Sequence, residues 1–368
     1  MAVYIHQLPG WPRFTWQEEQ VGPMLGAIRH RQGRLVGRLE GLGFPLREEA
    51  TLQTLTLDVL KSSEIEGELL DPGQVRSSIA RRLGMDIAGL VPADRHVEGI
   101  VEMMLDATQQ YHQPLSAERF FGWHAALFPT GRSGMHKIVV GAWRDNKKDN
   151  PMQVVSGAMG KERVHYEAPD ADRLNAEMAH FMTWFNEDKT MDAVLKAALA
   201  HLWLLTIHPF DDGNGRIARA VADMQLARAD GSPHRFYSMS AQIRKERAAY
   251  YDILESTQQG SADISRWLLW FLQCLDRALA ATDETLAAVL KKARFWEKHT
   301  AIPLNSRQLM MLNKLLDGFE GKLNSSKWAK MMKTSQDTAL RDIQDLLIKK
   351  VLVKETGGGR STGYVLAE

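Results

Sequence analysis

One cysteine, Cys274, stands among 368 residues, which excludes an intrachain disulfide framework. It lies in the apolar stretch WLLWFLQCL and reads as a small buried hydrophobe. Long apolar runs are missing as well, and nothing approaches the ~20 residues that a membrane-spanning helix needs. The opening stretch, MAVYIHQLPGWPRF, lacks a basic segment followed by an apolar core, so no signal peptide is expected and the cytoplasm is the expected compartment. Neither charge dominates. Lys plus Arg number 46 against 45 Asp plus Glu, a net charge of +1, which gives no overall steering toward nucleic acid or membrane. Repeats and low-complexity tracts are absent too.

At about 150 residues per domain, this length suggests two or three domains with a sizeable core. Residues 1–90 are mostly helical in pattern and read as an accessory N-terminal domain, residues 91–285 as a central one and residues 300–368 as a third. Val97, Ile100, Val101, Met104 and Thr108 share one helical face, and Pro114 with Ser116 ends that helix and caps the next. Leu174, Met178, Phe181 and Phe185 mark another helix, and residues 192–207, apolar on most sides, predict a central buried one. The fold expected is therefore mainly α. One interruption is a hairpin, because residues 137–144 and 152–157 are β-prone and flank the polar stretch 145–151.

The buried helix runs into HPFDDGNGRIAR, His208 through Arg219. Gly213 and Gly215 permit backbone conformations closed to residues with a Cβ, so successive N–H groups can turn inward as an anion-binding nest. Ile217, Val221 and Met224 recur at helical spacing just after, which sets the nest at a helix N-terminus, where phosphate is favoured. Arg216 and Arg219 add planar forks one turn apart. His208, with an ordinary pKa near 6.5, suits the acceptance of one proton in a phosphoryl-type transfer. A metal cluster of His208, Asp211 and Asp212 fits less well, because no second histidine stands at the spacing of a zinc helix.

The run HPFDDGNGR resembles the signature of the Fic family, His-Pro-Phe, any residue, Asp or Glu, then Gly-Asn-Gly-Arg, and agrees with it at every position. The resemblance implies a Fic-type helical core and transfer of AMP from ATP to a hydroxyl side chain (Tyr, Ser or Thr) of a target protein or of the protein itself. By position, His208 would be the general base, Asp212 the ligand of Mg²⁺, Asn214 the α-phosphate contact and Arg216 the holder of the β and γ groups. Glycine at Gly215, where some relatives carry lysine, implies AMP transfer and not phosphate transfer. The hairpin would be the flap that covers the site and holds a target segment by strand pairing, with Val155, Ser156 and Gly157 nearest the nucleotide. Ser62, Glu66 and Gly67 match the family's inhibitory pattern, Ser or Thr, three residues, Glu, then Gly or Asn. That implies a helix whose glutamate closes Arg219. Tyr250 and Tyr251 correspond to a tyrosine pair near adenine and ribose; neighbouring helix positions diverge, so one touches the nucleotide and the other packs, and the sequence does not choose between them. The opening IHQLPGWPRF resembles that of one bacterial Fic subgroup, and a homodimer is the expected assembly.

From about residue 303 the pattern is that of a winged helix. Leu309, Leu312 and Leu316 mark a first helix, residues 326–332 a second and residues 335–349 a third, and residues 351–354 and 363–366 form two strands around Gly357, Gly358 and Gly359. Eleven Lys or Arg face seven Asp or Glu there. Gln336, Arg341 and Gln344 suit an outward recognition surface, yet Asp337, Asp342 and Asp345 would oppose phosphate. DNA binding and protein docking both stay open. Two rival functions stand beside AMP transfer: removal of AMP, with Glu66 positioning water, and a DNA- or partner-binding regulator that uses the nucleotide site as a sensor. A sensor would need neither His208 nor Asp212.

Overall fold

The computed structural model describes residues 3–40, 44–87, 89–157, 160–161, 163–234, 236–319, 321–355 and 362–367. The chain divides into two compact units, Met1–Leu83 with Pro92–Asp283, and Gly84–Val91 with Glu284–Glu368. No helix among the described residues is long and apolar enough to cross a membrane.

The first unit is helical. It opens with α1 (Glu18–Glu40), α2 (Phe44–Ile65), α3 (Pro72–Arg82), α4 (Arg95–Gln109) and α5 (Ala117–Leu127). Local chemistry starts two of these helices: Asp94 accepts from Val97 N at 2.9 Å, and Ser116, the cap the sequence suggests, from Arg119 N at 3.3 Å, each satisfying a donor that has no partner within the helix. Gly99 lets α4 and α5 touch, because a Cβ there would lie 1.9 Å from the Ala126 carbonyl oxygen. Two short hairpins follow, β1 (Arg132–Ser133) with β2 (His136–Lys137), and β3 (Gln153–Ser156) with β4 (Arg163–Glu167). Then come α6 (Leu174–Glu187), α7 (Ala193–Ile207), α8 (Asn214–Asp230), α9 (Met239–Lys245), α10 (Arg247–Gln258) and α11 (Ser265–His299), whose residues divide between the units at 283.

The core lies around α7 and α8. Every residue from Val194 to Ile207 is buried, as is every residue from Arg216 to Ala227, which is what a segment apolar nearly all round must do. Burying each large apolar side chain contributes roughly 1.5–3 kcal/mol. Trp267 of α11 donates its indole N–H to the Ala198 carbonyl at 2.8 Å, so the helix after the site is tied to the helix before it.

The hairpin pairing differs from the expected one. Residues 138–144 form no strand, and residues 153–156 pair with 163–167 instead of with 137–144. The backbone of 138–144 is used elsewhere: Val139 N donates to Asp211 Oδ2 at 2.8 Å and Arg144 N to the Pro209 carbonyl at 2.9 Å. Gly141, at φ +72°, breaks the extended run between them. β-propensity alone could not foresee that these donors serve a loop and not a neighbouring strand.

In the second unit α12 (Ser306–Leu316), α13 (Ser325–Met331) and α14 (Gln336–Ile348) precede β5 (Leu352–Lys354), which pairs antiparallel with β6 (Tyr364–Leu366). Trp328, Ile343, Leu346, Met311 and Leu312 make its core. Gly357, Gly358 and Gly359 lie outside the described residues. Two of the three acids expected to oppose phosphate do not stand free. Asp342 is buried against Arg307 at 2.8 and 3.0 Å and Asn305 at 2.9 Å, and Asp345 accepts from Lys349 at 2.6 Å and Gln308 at 2.8 Å. Asp337 alone of the three is exposed.

Candidate active site

α7 ends at His208, whose backbone is left-handed (φ 52°, ψ 59°) and whose N–H still reaches the Leu204 carbonyl at 2.9 Å. A non-glycine residue held in that region is strained and persists only where its surroundings fix it. Arg144 does the fixing. This buried side chain donates from Nε to the His208 carbonyl at 2.7 Å and from Nη2 to the carbonyls of Pro169 at 2.6 Å and Ile207 at 3.4 Å. Phe210 then drops into the core, stacked on His124 at 4.2 Å and beside Trp143 at 5.2 Å.

Burial pushes the His208 imidazole down to about 4, against the Leu205 carbonyl bond and the nearby Asp212 and Glu66 charges that favour the proton. The ring is neutral at pH 7. Its Nδ1 lies 3.2 Å from the Leu205 carbonyl, a bond that only a protonated nitrogen can make, so Nε2 carries the free lone pair. His124 is likewise lowered to about 4, chiefly by burial. Its Nε2 donates to the Asp212 carbonyl at 3.2 Å while Nδ1 accepts from Gly141 N at 3.4 Å.

The loop stabilises itself. Asn214 uses both ends of its amide on one neighbour, accepting from Phe210 N at 3.0 Å and donating to the Phe210 carbonyl at 2.8 Å. Asp212 accepts from Gly213 N at 2.5 Å and from the Ser133 hydroxyl. Gly213, at φ +82°, opens α8 without a side-chain cap, and no acid stands in the helix's first turn, so the helix end keeps its positive character. Arg216 and Arg219 rise from that turn and are both buried. Among the described residues Arg216 Nε and Arg219 Nη1 find no acceptor.

Over this helix end lies the end of α2. Arg219 donates from Nε to Ser62 Oγ at 2.9 Å and from Nη2 to the Ser62 carbonyl and Glu66 Oε1, both at 2.8 Å. Gly67, at φ +86°, reverses the chain just past the helix, so Glu66 sits at a helix terminus and not within a helix. The same turn delivers Glu68, whose Oε2 accepts from Arg216 Nη1 at 3.0 Å and whose Oε1 bonds His96 Nε2. The His96 bond, against burial, holds the Glu68 carboxyl below its ordinary range, and the Glu68 bond raises His96. Gly215 leaves room for this, since a Cβ there would lie 2.2 Å from Glu66 Oε1.

The tyrosines separate cleanly. Tyr250 is buried, bonded to His201 Nε2 at 2.8 Å and packed on Trp270 at 5.5 Å. Tyr251 is 38% exposed, lies under the Arg247 guanidinium at 5.2 Å and feels the Glu66 and Arg219 charges. Val155 and Ser156 lie on β3 with Gly157 just beyond, and the bonds of Ser156 run to β4 and not to the loop. Sequence reasoning missed Arg144, Ser133, His124, Glu68 and Arg247, which donates to the Ile65 carbonyl at 2.8 Å. Of these only Glu68, next to the inhibitory pattern, carried a local signal.

Both the helical fold and the loop define a protein built around an anion-receptive helix end. A family model described as the Fic/DOC family matches residues 114–226, and one described as a domain of unknown function, DUF4172, matches residues 4–85. The chain is 28% identical over 229 residues to the protein adenylyltransferase Fic of Aedes aegypti, covering 60% of this chain and 40% of that protein. It is 26% identical over 224 residues to protein adenylyltransferase fic-1 of Caenorhabditis briggsae, covering 58% and 41%. It thus spans about two fifths of these relatives' length. In fold it is similar to a Fic family protein from Desulfovibrio desulfuricans (TM-score 0.52, 19% identity, 96% of this chain and 98% of that one). A Fic domain containing signaling protein from Bacteroides thetaiotaomicron is also similar (TM-score 0.51, 21% identity, 71% and 97%). Residues 114–226 are thus similar to the Fic/DOC family, and the fold is similar to that of solved Fic family proteins.

Proposed function

We propose that the protein is a protein adenylyltransferase, moving AMP from ATP to a hydroxyl side chain of a target protein with release of diphosphate. One observation carries the reading: a neutral histidine at the end of α7 is joined by a self-stapled loop to an uncapped helix start bearing two buried arginines. His208 takes the proton of the attacking hydroxyl on Nε2. The first N–H groups of α8 and Arg216 receive phosphate oxygens, and the guanidinium hydrogens without acceptors suit an anionic ligand. Asn214 serves this grip by holding the loop through Phe210. Tyr251, and not Tyr250, meets the base or ribose.

Asp212 would hold Mg²⁺. Among the described residues no group of three acidic, histidine or cysteine side chains could bind a metal alone. A single hard carboxylate nevertheless fits an ion that usually takes one or two carboxylates and completes its shell with phosphate oxygens and water. When bound, the ion neutralises phosphate charge.

In this reading the protein rests restrained, with Glu66 on Arg219 and Glu68 on Arg216. An arginine already closed by a carboxylate has fewer donors left for phosphate. The second unit has the element order of a winged helix; exposed Leu340 and Ile348 on α14 favour docking to protein over DNA. The test is incubation of the protein and its Glu66→Gly variant with a cell lysate and ATP labelled at either the α- or the γ-phosphate. Label arriving on protein from the α position alone supports the reading, whereas label from the γ position, or none, rejects it.

A further inference from the structure

The hairpin β1–β2 reaches the loop at the carboxylate that would hold Mg²⁺. Gly131, at φ +69°, and Gly134, at φ +54°, bend the chain on either side of Arg132 and Ser133. The turn closes on itself: Arg132 donates from Nη1 to the Met135 carbonyl at 2.8 Å, Ser133 pairs with His136, and Ile138 N donates to the Gly131 carbonyl at 3.1 Å. The chain beyond it is fastened to the same loop. Val139 N donates to Asp211 Oδ2 at 2.8 Å, and Gly141 N donates to Nδ1 of His124 at 3.4 Å, whose Nε2 reaches the Asp212 carbonyl at 3.2 Å. A braced segment thus delivers the Ser133 hydroxyl to Asp212 Oδ2.

A carboxylate has about four lone-pair positions. Gly213 N takes one on Oδ1 at 2.5 Å, and the Ser133 hydroxyl takes one on Oδ2. Both donors are neutral, so the negative charge stays available to a cation. A donor on each oxygen also stops the group from turning about its Cβ–Cγ bond. We propose that Ser133 is a positioning residue for the divalent cation: its hydroxyl holds the Asp212 carboxylate at one rotation, with a lone pair on each oxygen left for the ion. This rests on the reading of Asp212 as the ion's ligand. Groups that orient a metal ligand in this way contribute about 10–100-fold in metal affinity. Two simpler roles lead to other outcomes. A hydroxyl that only occupied Oδ2 would compete with the ion, so its loss would tighten binding. A hydroxyl that only tied the hairpin to the loop would change stability and leave the ion's affinity alone.

The experiment uses the full chain carrying Glu66→Gly and calorimetric titration of α,β-methylene ATP, which cannot be cleaved between those phosphates, with and without Mg²⁺. The ratio of the two affinities is the ion's contribution, and association of Mg²⁺ with the nucleotide itself is common to every variant. Ser133→Ala is expected to lower the ratio about 10-fold or more, with nucleotide affinity in the absence of Mg²⁺ near the parent's. Should Ser133→Ala melt early, Ser133→Thr and Ser133→Val separate the hydroxyl from the shape, since their side chains share one outline. Threonine is expected to keep the parent's ratio and valine to lose it as alanine does. A ratio unchanged or raised in Ser133→Ala, while Asp212→Ala lowers it, overturns the proposal. A ratio that Asp212→Ala leaves at the parent's value would take the ion away from that carboxylate and the role of Ser133 with it, whereas adenylyl transfer itself is decided separately by the labelled ATP.

Discussion

The loop at 208–219 and the segment at 62–68 meet at the first turn of α8, yet they are held in opposite ways. The loop is closed by its own neighbours: Asn214 staples Phe210, Asp212 takes Gly213 N, and buried Phe210 anchors the rest. The segment 62–68 is held from outside. Its partners are Arg219 and Arg216 on α8, His96 on α4, and Arg247 and Arg244 around α9 and α10. Of its three carboxylates, Glu66 and Glu68 are each 32% exposed in their side chains and Glu64 23%, so water reaches all three. One part holds itself, and the other depends on partners from other helices.

Breaking the self-held part should cost most. His208→Ala is expected to lower AMP transfer about 10²- to 10⁴-fold while ATP affinity, measured by calorimetry, stays near that of the parent. Transfer equal to the parent's would end the role given to His208. Next comes Arg144→Met, which leaves the carbonyls of Ile207, His208 and Pro169 short of a buried donor at about 1–3 kcal/mol for each group left unmet. A lower melting temperature and a loss of transfer near 10²-fold are expected, because small displacements of a reacting group cost about that much. An unchanged pair of values would show that the left-handed His208 needs no such clamp.

Loosening the part held from outside should act more gently and with the opposite sign. Glu68→Gln removes the carboxylate charge on Arg216 and is expected to tighten ATP binding about fivefold, the equivalent of roughly 1 kcal/mol for a pair whose carboxylate is partly exposed; weaker binding would contradict the latch. The smallest effect is a pH signature. His96 is raised by Glu68, so its contribution is full below the ordinary histidine value and lost as pH rises through the folded one. Glu68 is lowered, so its contribution is present above the ordinary carboxyl value and lost as pH falls through the folded one. The melting-temperature difference between parent and Glu68→Gln should therefore peak between those limits and shrink on both sides. His208 and His124, depressed chiefly by burial to about 4, behave otherwise: their contribution is present above about 6.5 and lost as pH falls toward 4. A difference that kept growing toward alkaline pH would place the latch elsewhere.

The same contrast decides what could be read in advance. The loop was legible because its chemistry is contiguous: base, acid, glycines and arginines stand in one run, and an apolar helix precedes them. The cap at Ser116 and the faces of α4 and α6 follow from spacing in the same way. Arg144 was invisible because its partners are carbonyls far along the chain, which any residue supplies. The hairpin was misread for a related reason, since residues 138–144 look like a strand but spend their donors on Asp211 and Pro209. Glu68 lay in plain view beside Glu66, yet only the reversal at Gly67 shows that both carboxylates reach the same helix end.

We propose that a removable carboxylate holds a complete nucleotide-transfer site shut. This is tested most directly by AMP-transfer rates of the parent and Glu66→Gly proteins at matched ATP and Mg²⁺, with melting temperature and ATP affinity measured alongside. A faster variant is expected, because Arg219 loses the carboxylate that competes with phosphate and keeps its Ser62 bonds, with a melting temperature below the parent's because a buried arginine loses its ion pair. A slower or unchanged rate in a folded variant that still binds ATP would contradict it.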